Sequence, residues 1–422
     1  MPVDHHALSP RRERATMLML GAVQFTHIVD FMILVPLGEQ LMREFGITPA
    51  QFTQVVAAYG FAAAFSGLAG GFILDRFDRK RALLVLYAGF GLSTLACGVA
   101  PTHHLLLLGR FAAGAFGGLA SSMVTAMVGD VVPPTRLGRA MSFVMSAFPV
   151  ASVLGVPVGL VLAGKYDWHA PFLMLAGCAA INFILGMFAL PHIQTAVHGH
   201  QPWRQMREIV SHRIHLRAFA VGAALALAGG LVVPFVAPAF VANVGLTEDR
   251  QLPLVYAVGG IVTAFTMPIV GLWSDRFDRL RLLAIMSAAA IGVVLVLTRL
   301  GPSPVAWAAT MMALFMVTMS SRFTPAMAMI TNAVEARYRG GFMSVNSSLQ
   351  QASIGAANVL AGFFITREAS GHLSGFPLLG YISTGFFVLT VLLAARLRQA
   401  APHVAAPGRR SAVSPLPDKA AA

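Results

Sequence analysis

Charged residues are scarce in this chain. They make up 11% of its 422 residues, and apolar residues make up 57%, whereas charged residues form roughly 25% of a typical soluble domain. A soluble fold of this length could not keep so much apolar surface away from water. The composition therefore excludes an ordinary soluble protein and indicates a chain that is solvated mainly by lipid.

Several common sources of stability and chemistry are absent as well. The two cysteines, Cys97 and Cys178, lie in apolar stretches, so no disulfide framework is expected. The sequence has no Gly-x-x-x-x-Gly-Lys-Ser/Thr loop for a nucleotide, and its histidines lack the spacing of a metal site. Because no catalytic cluster can be recognised either, we expect no enzyme activity, no cofactor and no bound metal.

Twelve apolar stretches are each long enough to cross a bilayer, which takes roughly 20 residues. The first covers residues 16–38 and the seventh covers residues 214–241. We therefore predict an all-α membrane protein with twelve transmembrane helices in two pseudo-symmetric six-helix bundles. The predicted parts are a cytoplasmic N-terminal segment (1–15), the first bundle (16–190), a cytoplasmic linker (191–213), the second bundle (214–396) and a disordered cytoplasmic tail (397–422).

One charged segment occurs twice. Residues 71–81 and 271–281 are identical at seven of eleven positions, and each copy lies between the second and third span of its half. Duplicated halves of this kind are how many secondary transporters are built. The repeat therefore favours a transporter over a membrane sensor or a membrane enzyme.

The basic residues are distributed unevenly between the two sides of the predicted membrane. The side that carries both termini holds 23 of the 30 Lys and Arg residues. By the positive-inside rule, both termini and both copies of the repeat are cytoplasmic, and the protein is expected in a bacterial inner membrane. The formal charge of +13 then reflects topology and contact with anionic membrane lipid, and it requires no nucleic-acid partner.

The repeated loop resembles the hallmark motif of the major facilitator superfamily, and the chain is similar to its twelve-span drug/proton antiporter branch, which includes arabinose-efflux-like exporters. The family motif is Gly-x-x-x-Asp-Arg-x-Gly-Arg-Arg/Lys, and Asp78 and Asp278 stand where the family has glycine. We expect a left-handed turn there, which aspartate tolerates better than most residues. The matching residues are Gly71, Asp75, Arg76, Arg79 and Lys80, with Gly271, Asp275, Arg276 and Arg279 in the second copy.

This resemblance implies a conformational latch. In the family, Asp75 would hold the first half against the start of span eleven, and Asp275 would do the same at span five. A carboxylate is favoured at a helix N-terminus, which carries partial positive charge. The alternative is that the charges of both loops only enforce the topology.

Two further stretches resemble family motifs. Arg110 in span four matches an Arg-x-x-x-Gly element, which implies a role in proton coupling or substrate binding, because an arginine within a span usually has a function. The alternative is that its side chain extends to the membrane surface. In span five, Gly155, Pro157 and Gly159 partly match the antiporter signature, and we predict that they serve close helix packing.

One carboxylate, Asp30, lies well inside a span. Burial of an ionised aspartate at mid-membrane costs at least ~2.5 kcal/mol on insertion scales, and such a group is suited to loading and unloading a proton. We predict that Asp30 is the proton site and that His27, three residues earlier on the same helical face, modulates it. The alternative is a structural carboxylate that binds neighbouring helices.

The second half offers a candidate substrate cavity. Asn346, Gln350 and Ser353 form one polar stripe on the predicted span eleven, and Arg322 lies in span ten. A polar stripe in a membrane helix faces the protein interior or a water-filled cavity. Hydrogen bonding to a substrate and bonding between helices are both compatible with this pattern.

The resemblance and the residues together predict a monomeric secondary transporter. It would export a small molecule, such as a drug, a sugar or a metabolite, in exchange for protons by alternating access. A proton symporter or a facilitator of the same fold remains an alternative, and so does a non-transporting membrane sensor.

Overall fold

The computed structural model describes residues 9–73, 77–133, 136–193, 202–335 and 338–405. These ranges are almost entirely helical, and one short hairpin joins the last two long helices. The helices are α1 (Pro10–Ile33), α2 (Gly38–Phe45), α3 (Pro49–Ile73), α4 (Arg79–Gly98), α5 (His103–Val131), α6 (Leu137–Met145), α7 (Ala147–Val150), α8 (Val156–Lys165), α9 (His169–Ala189), α10 (Pro202–Ser211), α11 (Arg213–Gly230), α12 (Val233–Ala242), α13 (Gln251–Arg276), α14 (Arg279–Leu297), α15 (Val305–Asn332), α16 (Arg339–Phe364) and α17 (Phe376–Ala400). A π-helical turn (Ala151–Gly155) joins α7 to α8, and the hairpin consists of β1 (Thr366–Arg367) and β2 (Leu373–Ser374).

Each half contributes six membrane-spanning units. The spans of the first half are α1, α3, α4, α5, the consecutive helices α6–α8, and α9, and those of the second are α11–α12, α13, α14, α15, α16 and α17. Eleven helices of the described chain are long and apolar enough to cross a membrane. The remaining span, α16, is 26 residues long, and the polar residues along it lower its hydropathy. The predicted all-α fold with twelve transmembrane helices is confirmed.

The first and seventh spans are interrupted where the sequence predicts continuous helices, and the fifth contains a turn at Ser146 and the π-helical turn. The first ends at Ile33, residues 34–37 form a turn, and α2 is a separate short helix. Gly46 ends α2 in the left-handed region with a φ of 58°, which glycine adopts without strain. The seventh span breaks between α11 and α12 just before Pro234, which cannot donate a backbone hydrogen bond.

The two copies of the repeated loop begin α4 and α14 in the same way. Asp78 has a φ of −56° and accepts a hydrogen bond from the backbone N–H of Arg81 at 2.9 Å. Asp278 has a φ of −59° and accepts the same bond from Arg281 at 2.9 Å. The expectation of a left-handed turn is therefore wrong. Both aspartates are extended N-caps, a position that their carboxylates favour.

The predicted linker and tail contain regular structure. Helix α10 lies within the predicted linker 191–213, and its Ile209 is buried among apolar residues of the second half. Helix α17 continues to Ala400 and a 3₁₀ turn follows at Pro402–Ala405, so residues 397–405 of the predicted tail are mostly helical. The rest of the predicted tail lies outside the described residues.

The apolar core shows how the halves are arranged. We call the side on which α1 begins and α17 ends the terminal side, and the opposite side the far side. The largest cluster joins both halves on the far side, where the rings of Phe52 and Phe235 are 6.4 Å apart. Two smaller clusters lie towards the terminal side, and each belongs to one half, with Met123 in the first and Met329 in the second. The apolar core that the halves share thus lies on the far side, and each half has a core of its own towards the terminal side.

Small residues allow the halves to approach closely along two helix pairs. A Cβ at Gly60 of α3 would lie 3.1 Å from the carbonyl oxygen of Gln351 in α16. A Cβ at Gly260 of α13 would lie 2.8 Å from the carbonyl oxygen of Ser152 in the π-helical turn. Glycine at these positions therefore lets the helices of the two halves pack at close range.

Candidate functional site

A fully buried ion pair lies inside the first half. Arg110 of α5 donates from Nη1 to Asp30 Oδ2 of α1 at 2.7 Å, and the two side chains are 1% and 0% exposed. The same Nη1 donates to the backbone carbonyl oxygen of Asp30 at 3.1 Å. Arg110 therefore points into the bundle, and the alternative that it extends to the membrane surface is wrong. The sequence identified both residues but did not indicate that they form a pair.

Two residues that the sequence did not single out complete this cluster. Thr94 of α4 donates to Asp30 Oδ1 at 3.2 Å. The ring of Tyr59 in α3 faces the guanidinium of Arg110, with 4.4 Å between Cζ and the ring centroid. Nothing in the sequence distinguishes Tyr59 from other buried aromatic residues, because the contact depends on how α3 packs against α5.

Glycines of α5 make that packing possible. A Cβ at Gly114 would lie 2.3 Å from the carbonyl oxygen of Tyr59. A Cβ at Gly117 would lie 2.6 Å from the imidazole Cδ2 of His27. Since real Cβ atoms do not approach so closely, α5 can adopt this position only because both residues are glycine.

His27 lies next to the ion pair without bonding to it. Its ring centroid is 6.0 Å from that of Tyr59 and 5.9 Å from that of Phe90. Both ring nitrogens are buried and have no hydrogen-bond partner among the described residues. His27 therefore makes no hydrogen bond through which it could act on Asp30 in this conformation.

The glycines predicted for helix packing in span five contact α1, the helix that carries Asp30. A Cβ at Gly155 would lie 2.3 Å from Val29 Cγ2, and one at Gly159 would lie 2.5 Å from Ile33 Cδ1. Pro157 follows the π-helical turn directly. This part of span five lies against the last turns of α1.

The polar stripe of α16 faces α11. A Cβ at Gly222 of α11 would lie 2.6 Å from Asn346 Oδ1 and 3.3 Å from Gln350 Nε2. Both polar atoms of the buried Asn346 amide lack a partner among the described residues. Ser353 donates instead to the carbonyl oxygen of Leu349 in its own helix, at 2.7 Å.

Arg322 of α15 is fully buried inside the second half. Its Cζ lies 4.0 Å from the ring centroid of Phe387 in α17, and its Nη2 contacts Met319 Sδ at 3.1 Å. The atoms Nε and Nη1 are buried and have no partner among the described residues. The two arginines that the sequence places within spans thus have different surroundings, since only Arg110 has a carboxylate.

The repeated loop of the first half is described only in part. Asp75 and Arg76 lie outside the described residues, and Gly71 lies at the end of α3. Arg79 is nearly buried and donates from Nε to Asp130 at the end of α5, at 3.0 Å. Lys80 donates to the carbonyl oxygen of Met187 in α9, at 2.7 Å. These contacts bind the loop to other helices of the same half.

The second copy is described in full. Arg279 is buried and donates to the carbonyl oxygen of Val404 at 3.4 Å. Asp275 and Arg276 are exposed, and Asp275 makes no hydrogen bond or ion pair within the described ranges. Gly271 has open space around it. The contact predicted between Asp275 and span five is therefore not formed in this conformation.

Comparison with known proteins agrees with this architecture. Residues 20–358 and 219–419 match the family model of the Major Facilitator Superfamily. The chain belongs to the Major Facilitator Superfamily. Its fold is also similar to that of a bacterial homologue of the human lysosomal transporter Spinster, crystallised in an inward-facing and occupied conformation, with a TM-score of 0.77 and 14% identity over 97% of this chain and 100% of that one. The superfamily identified from the repeated loop is confirmed.

The relatives of this chain include transporters that are named for different roles. The uncharacterized MFS-type transporter YceJ of Bacillus subtilis is 31% identical over 41% of this chain and 44% of that protein. The vacuolar membrane amino acid uptake transporter fnx2 of Schizosaccharomyces pombe is 33% identical over 42% of this chain and 30% of its own. A probable sugar efflux transporter of Helicobacter pylori is 26% identical over 38% of this chain and 41% of its own. The matched part is less than half the length of each relative.

In this Major Facilitator Superfamily protein, two ion pairs join the halves on the far side. Arg43 of α2 forms two hydrogen bonds with Glu248, at 3.1 and 3.0 Å. Glu39 of α2 pairs with Arg367 of the hairpin, and the Glu39 side chain is 5% exposed. Burial raises the pKa of Glu39, and Arg367 offsets this only in part. These residues were not predicted, because the partners are far apart in the sequence.

Proposed function

We propose that this protein exports a small organic molecule in exchange for protons by alternating access, with Asp30 as the group that carries the proton. The coarser assignment, a multi-pass membrane transporter, follows from the family and the fold. The proposed setting is the bacterial inner membrane with both termini in the cytoplasm, which makes the terminal side cytoplasmic. The far side, on which the halves share their apolar core, then faces away from the cytoplasm.

One observation carries the proposal, namely the buried pair of Asp30 and Arg110. An acidic side chain that lies in the membrane without access to water is costly to keep ionised, so it is retained where its charge has a use. Here the carboxylate is neutralised by a single arginine, and both groups lie on helices that line the interior of one half. A proton bound by Asp30 would change the charge of the whole cluster by one unit.

The surroundings of Arg110 are compatible with reversible protonation of Asp30. When Asp30 takes up a proton, the ionic contact at Oδ2 weakens, but the bond from Nη1 to the Asp30 carbonyl oxygen does not depend on protonation. The ring of Tyr59 also remains against the guanidinium, and such a contact stabilises a cation. Arg110 can therefore stay in place while the carboxyl group changes its charge.

The far-side contacts and the repeated loops fit the two ends of the transport cycle. The pairs Glu39–Arg367 and Arg43–Glu248 join the two halves on the far side. When the terminal side closes, Asp275 would reach the start of span five, and Asp75 would reach the start of α16. The loops would thus act as the latch for the opposite state. Among the relatives, the probable sugar efflux transporter supports export, and the amino acid uptake transporter leaves the substrate class open.

The proposal is tested in proteoliposomes that contain a pH-sensitive dye and carry an imposed proton gradient. Antibiotics, dyes, sugars and amino acids are added to the natural sequence and to Asp30→Asn. A matched control is Asp167→Asn, which removes an aspartate that is exposed in a far-side loop. We expect at least one compound to drive protons in the opposite direction, an effect that Asp30→Asn abolishes and Asp167→Asn retains.

The other outcomes separate the alternatives. Protons that move in the same direction as the compound would identify a symporter. Flux that ignores both the gradient and the Asp30→Asn change would identify a facilitator and give Asp30 a structural role. No flux of any compound, with intact binding, would favour a sensor.

A further inference from the structure

The second half contains a buried positive charge that no described residue neutralises. A guanidinium stays protonated at all ordinary pH values, and that of Arg322 is fully buried. Its neighbours are the ring of Phe387 and the sulfur of Met319, neither of which carries a negative charge. The donors on Nε and Nη1 have no acceptor among the described residues.

No carboxylate of the described residues pairs with Arg322. In the membrane-spanning helices α11 to α17, as they are described, the one acidic residue is Asp275, which is exposed at the terminal end of α13. The other acidic residues of the second half lie outside these helices; they are Glu248, Asp249, Asp278, Glu335 and Glu368. In the interior of the first half, Asp30 is already bound to Arg110. A ligand from outside the protein could therefore supply the missing anion.

The position of Arg322 is suitable for a transported ligand. By the helical rise of 1.5 Å per residue, it lies roughly 25 Å from the far end of α15 and roughly 15 Å from its terminal end. Gln350 lies at about the same depth, roughly 16 Å from the start of α16. Substrate sites of such transporters lie near the middle of the bilayer, where the two halves meet.

Arg322 also marks a boundary in the apolar core. Phe387 belongs to the cluster that closes the far side, and Met319 packs against that cluster. One and two turns later in α15, Ala326 and Met329 belong to the separate cluster of the second half. Arg322 thus lies between the apolar core that both halves share and the core that belongs to the second half alone.

We propose that Arg322 binds a carboxylate of the transported molecule, so that the substrate class is small organic anions, including zwitterions that carry a carboxylate. This inference rests on the proposed function and names the substrate class of the same transporter. The ligand supplies the negative charge that the second half lacks, through charge-assisted hydrogen bonds from Nε and Nη1. Gln350 and the unpartnered amide of Asn346 are candidates for further polar contacts on α16.

The experiment uses the full-length protein in lipid nanodiscs and matched pairs of probes. Benzoate is compared with benzamide, gluconate with glucose, and phenylalanine with its amide, all at constant ionic strength. Thermal melting reports binding to the natural sequence, to Arg322→Met, which removes the charge, and to Arg322→Lys, which keeps it. Arg299→Gln is the control, since Arg299 also lies against an aromatic ring, that of Tyr381, but is exposed on the far side.

We expect a saturable stabilisation by at least one carboxylate and none by its neutral or cationic partner. Affinity should fall roughly tenfold or more in Arg322→Met, fall less in Arg322→Lys and remain unchanged in Arg299→Gln. Without ligand, Arg322→Met should melt at the same temperature as the natural sequence or higher, because a buried, unpaired charge is removed. A strongly lowered melting temperature would mean that Arg322 has a structural partner, and it would overturn the proposal.

Three other results would also overturn it. These are equal stabilisation by neutral partners, a carboxylate response that survives in Arg322→Met, and no response to any carboxylate in the panel. If chloride alone reproduces the effect in a sulfate buffer, the site holds an inorganic ion and the substrate class is wrong. Carboxylate binding without proton movement would refute the proposed exchange alone, whereas proton exchange driven only by uncharged or cationic compounds would refute this inference alone.

Discussion

The buried pair of Asp30 and Arg110 leads to a prediction about stability that does not depend on the substrate. We consider the single changes Asp30→Asn and Arg110→Gln and the double change. Removal of one partner from a buried ion pair costs about 3–5 kcal/mol, because it leaves an uncompensated charge. The 2.7 Å contact and the nearly complete burial of both side chains place this pair in that class.

The two single changes should not be equivalent. Asp30→Asn leaves a guanidinium, which cannot lose its proton. Arg110→Gln leaves a carboxyl group, which can become neutral by binding a proton. We therefore expect Asp30→Asn to lower the free energy of unfolding by the full amount, about 3–5 kcal/mol, and Arg110→Gln to lower it by less. The double variant, with two neutral amides, should be more stable than Asp30→Asn alone.

The measurement is a double-mutant cycle by equilibrium unfolding in mixed micelles. The pair of Glu13 and Arg136 is the matched control, since it lies in the same half and has two hydrogen bonds, at 2.9 and 3.0 Å. Its arginine is 54% exposed, so its coupling energy should be about 0–1 kcal/mol. If the effects of Asp30→Asn and Arg110→Gln simply add, the two side chains do not act as a buried pair, and the assignment of Asp30 loses its basis.

Three further predictions concern the packing and the two sides of the protein. Gly114→Ala should destabilise the protein by about 1–3 kcal/mol in thermal melting. The control is Gly129→Ala in the same helix, which should not destabilise it because a Cβ there meets open space. Equal melting temperatures of the two variants would argue against the close contact of α3 and α5. The pKa of Glu39 is raised above its ordinary value of 4.5 in the closed far side, so closure should be most favourable below that value and weaken as the pH rises through the raised pKa. Spin-label distances across the far side should show this trend in the natural sequence and lose it in Glu39→Gln. Asp278→Ala should cost about 1 kcal/mol through the lost N-cap, while Asp278→Asn, which can still cap the helix, should melt close to the natural sequence.

The helices could be predicted because hydropathy and length depend on local sequence alone. The predicted helix bounds were wrong where a helix ends although the local hydropathy would continue it. Residues 34–37 are apolar enough to extend the first span, and Gly46 shows only where the following helix ends. Span seven has a detectable signal in Pro234, whose position marks the break between α11 and α12. Helix α16 illustrates the opposite case, since its polar stripe lowers its hydropathy while its packing against α3 and α11 keeps it in the bundle.

The caps at Asp78 and Asp278 could have been predicted from the sequence. Aspartate is among the preferred N-cap residues, and each copy is followed directly by a new span. The comparison with a family glycine suggested a left-handed turn instead. Where a residue differs from the family motif, its own preference at the start of a helix is therefore the better basis for a prediction.

The candidate site could be predicted only in its separate parts. Asp30 and Arg110 are conspicuous as charges within spans, but their pairing depends on the relative depth of α1 and α5, which no local pattern specifies. The pair of Glu39 and Arg367 is separated by 328 positions, so only the assembled fold brings them together. Thr94 and Tyr59 belong to the site only because the fold places them next to Asp30 and Arg110.

The two buried arginines look alike in the sequence, and the structure separates them by their surroundings. Arg110 is neutralised by Asp30, so the interior of the first half carries no net charge when that carboxyl is ionised. Arg322 has no such partner within the described residues, so the interior of the second half is positive. Protonation of Asp30 would raise the positive charge of the interior by one unit, and an anion bound at Arg322 would lower it by one. Nearby charges of opposite sign stabilise each other, so binding of a proton at Asp30 and binding of an anion at Arg322 are linked through the same electrostatic field. The strength of that linkage depends on the distance between the two sites and on how much water lies between them.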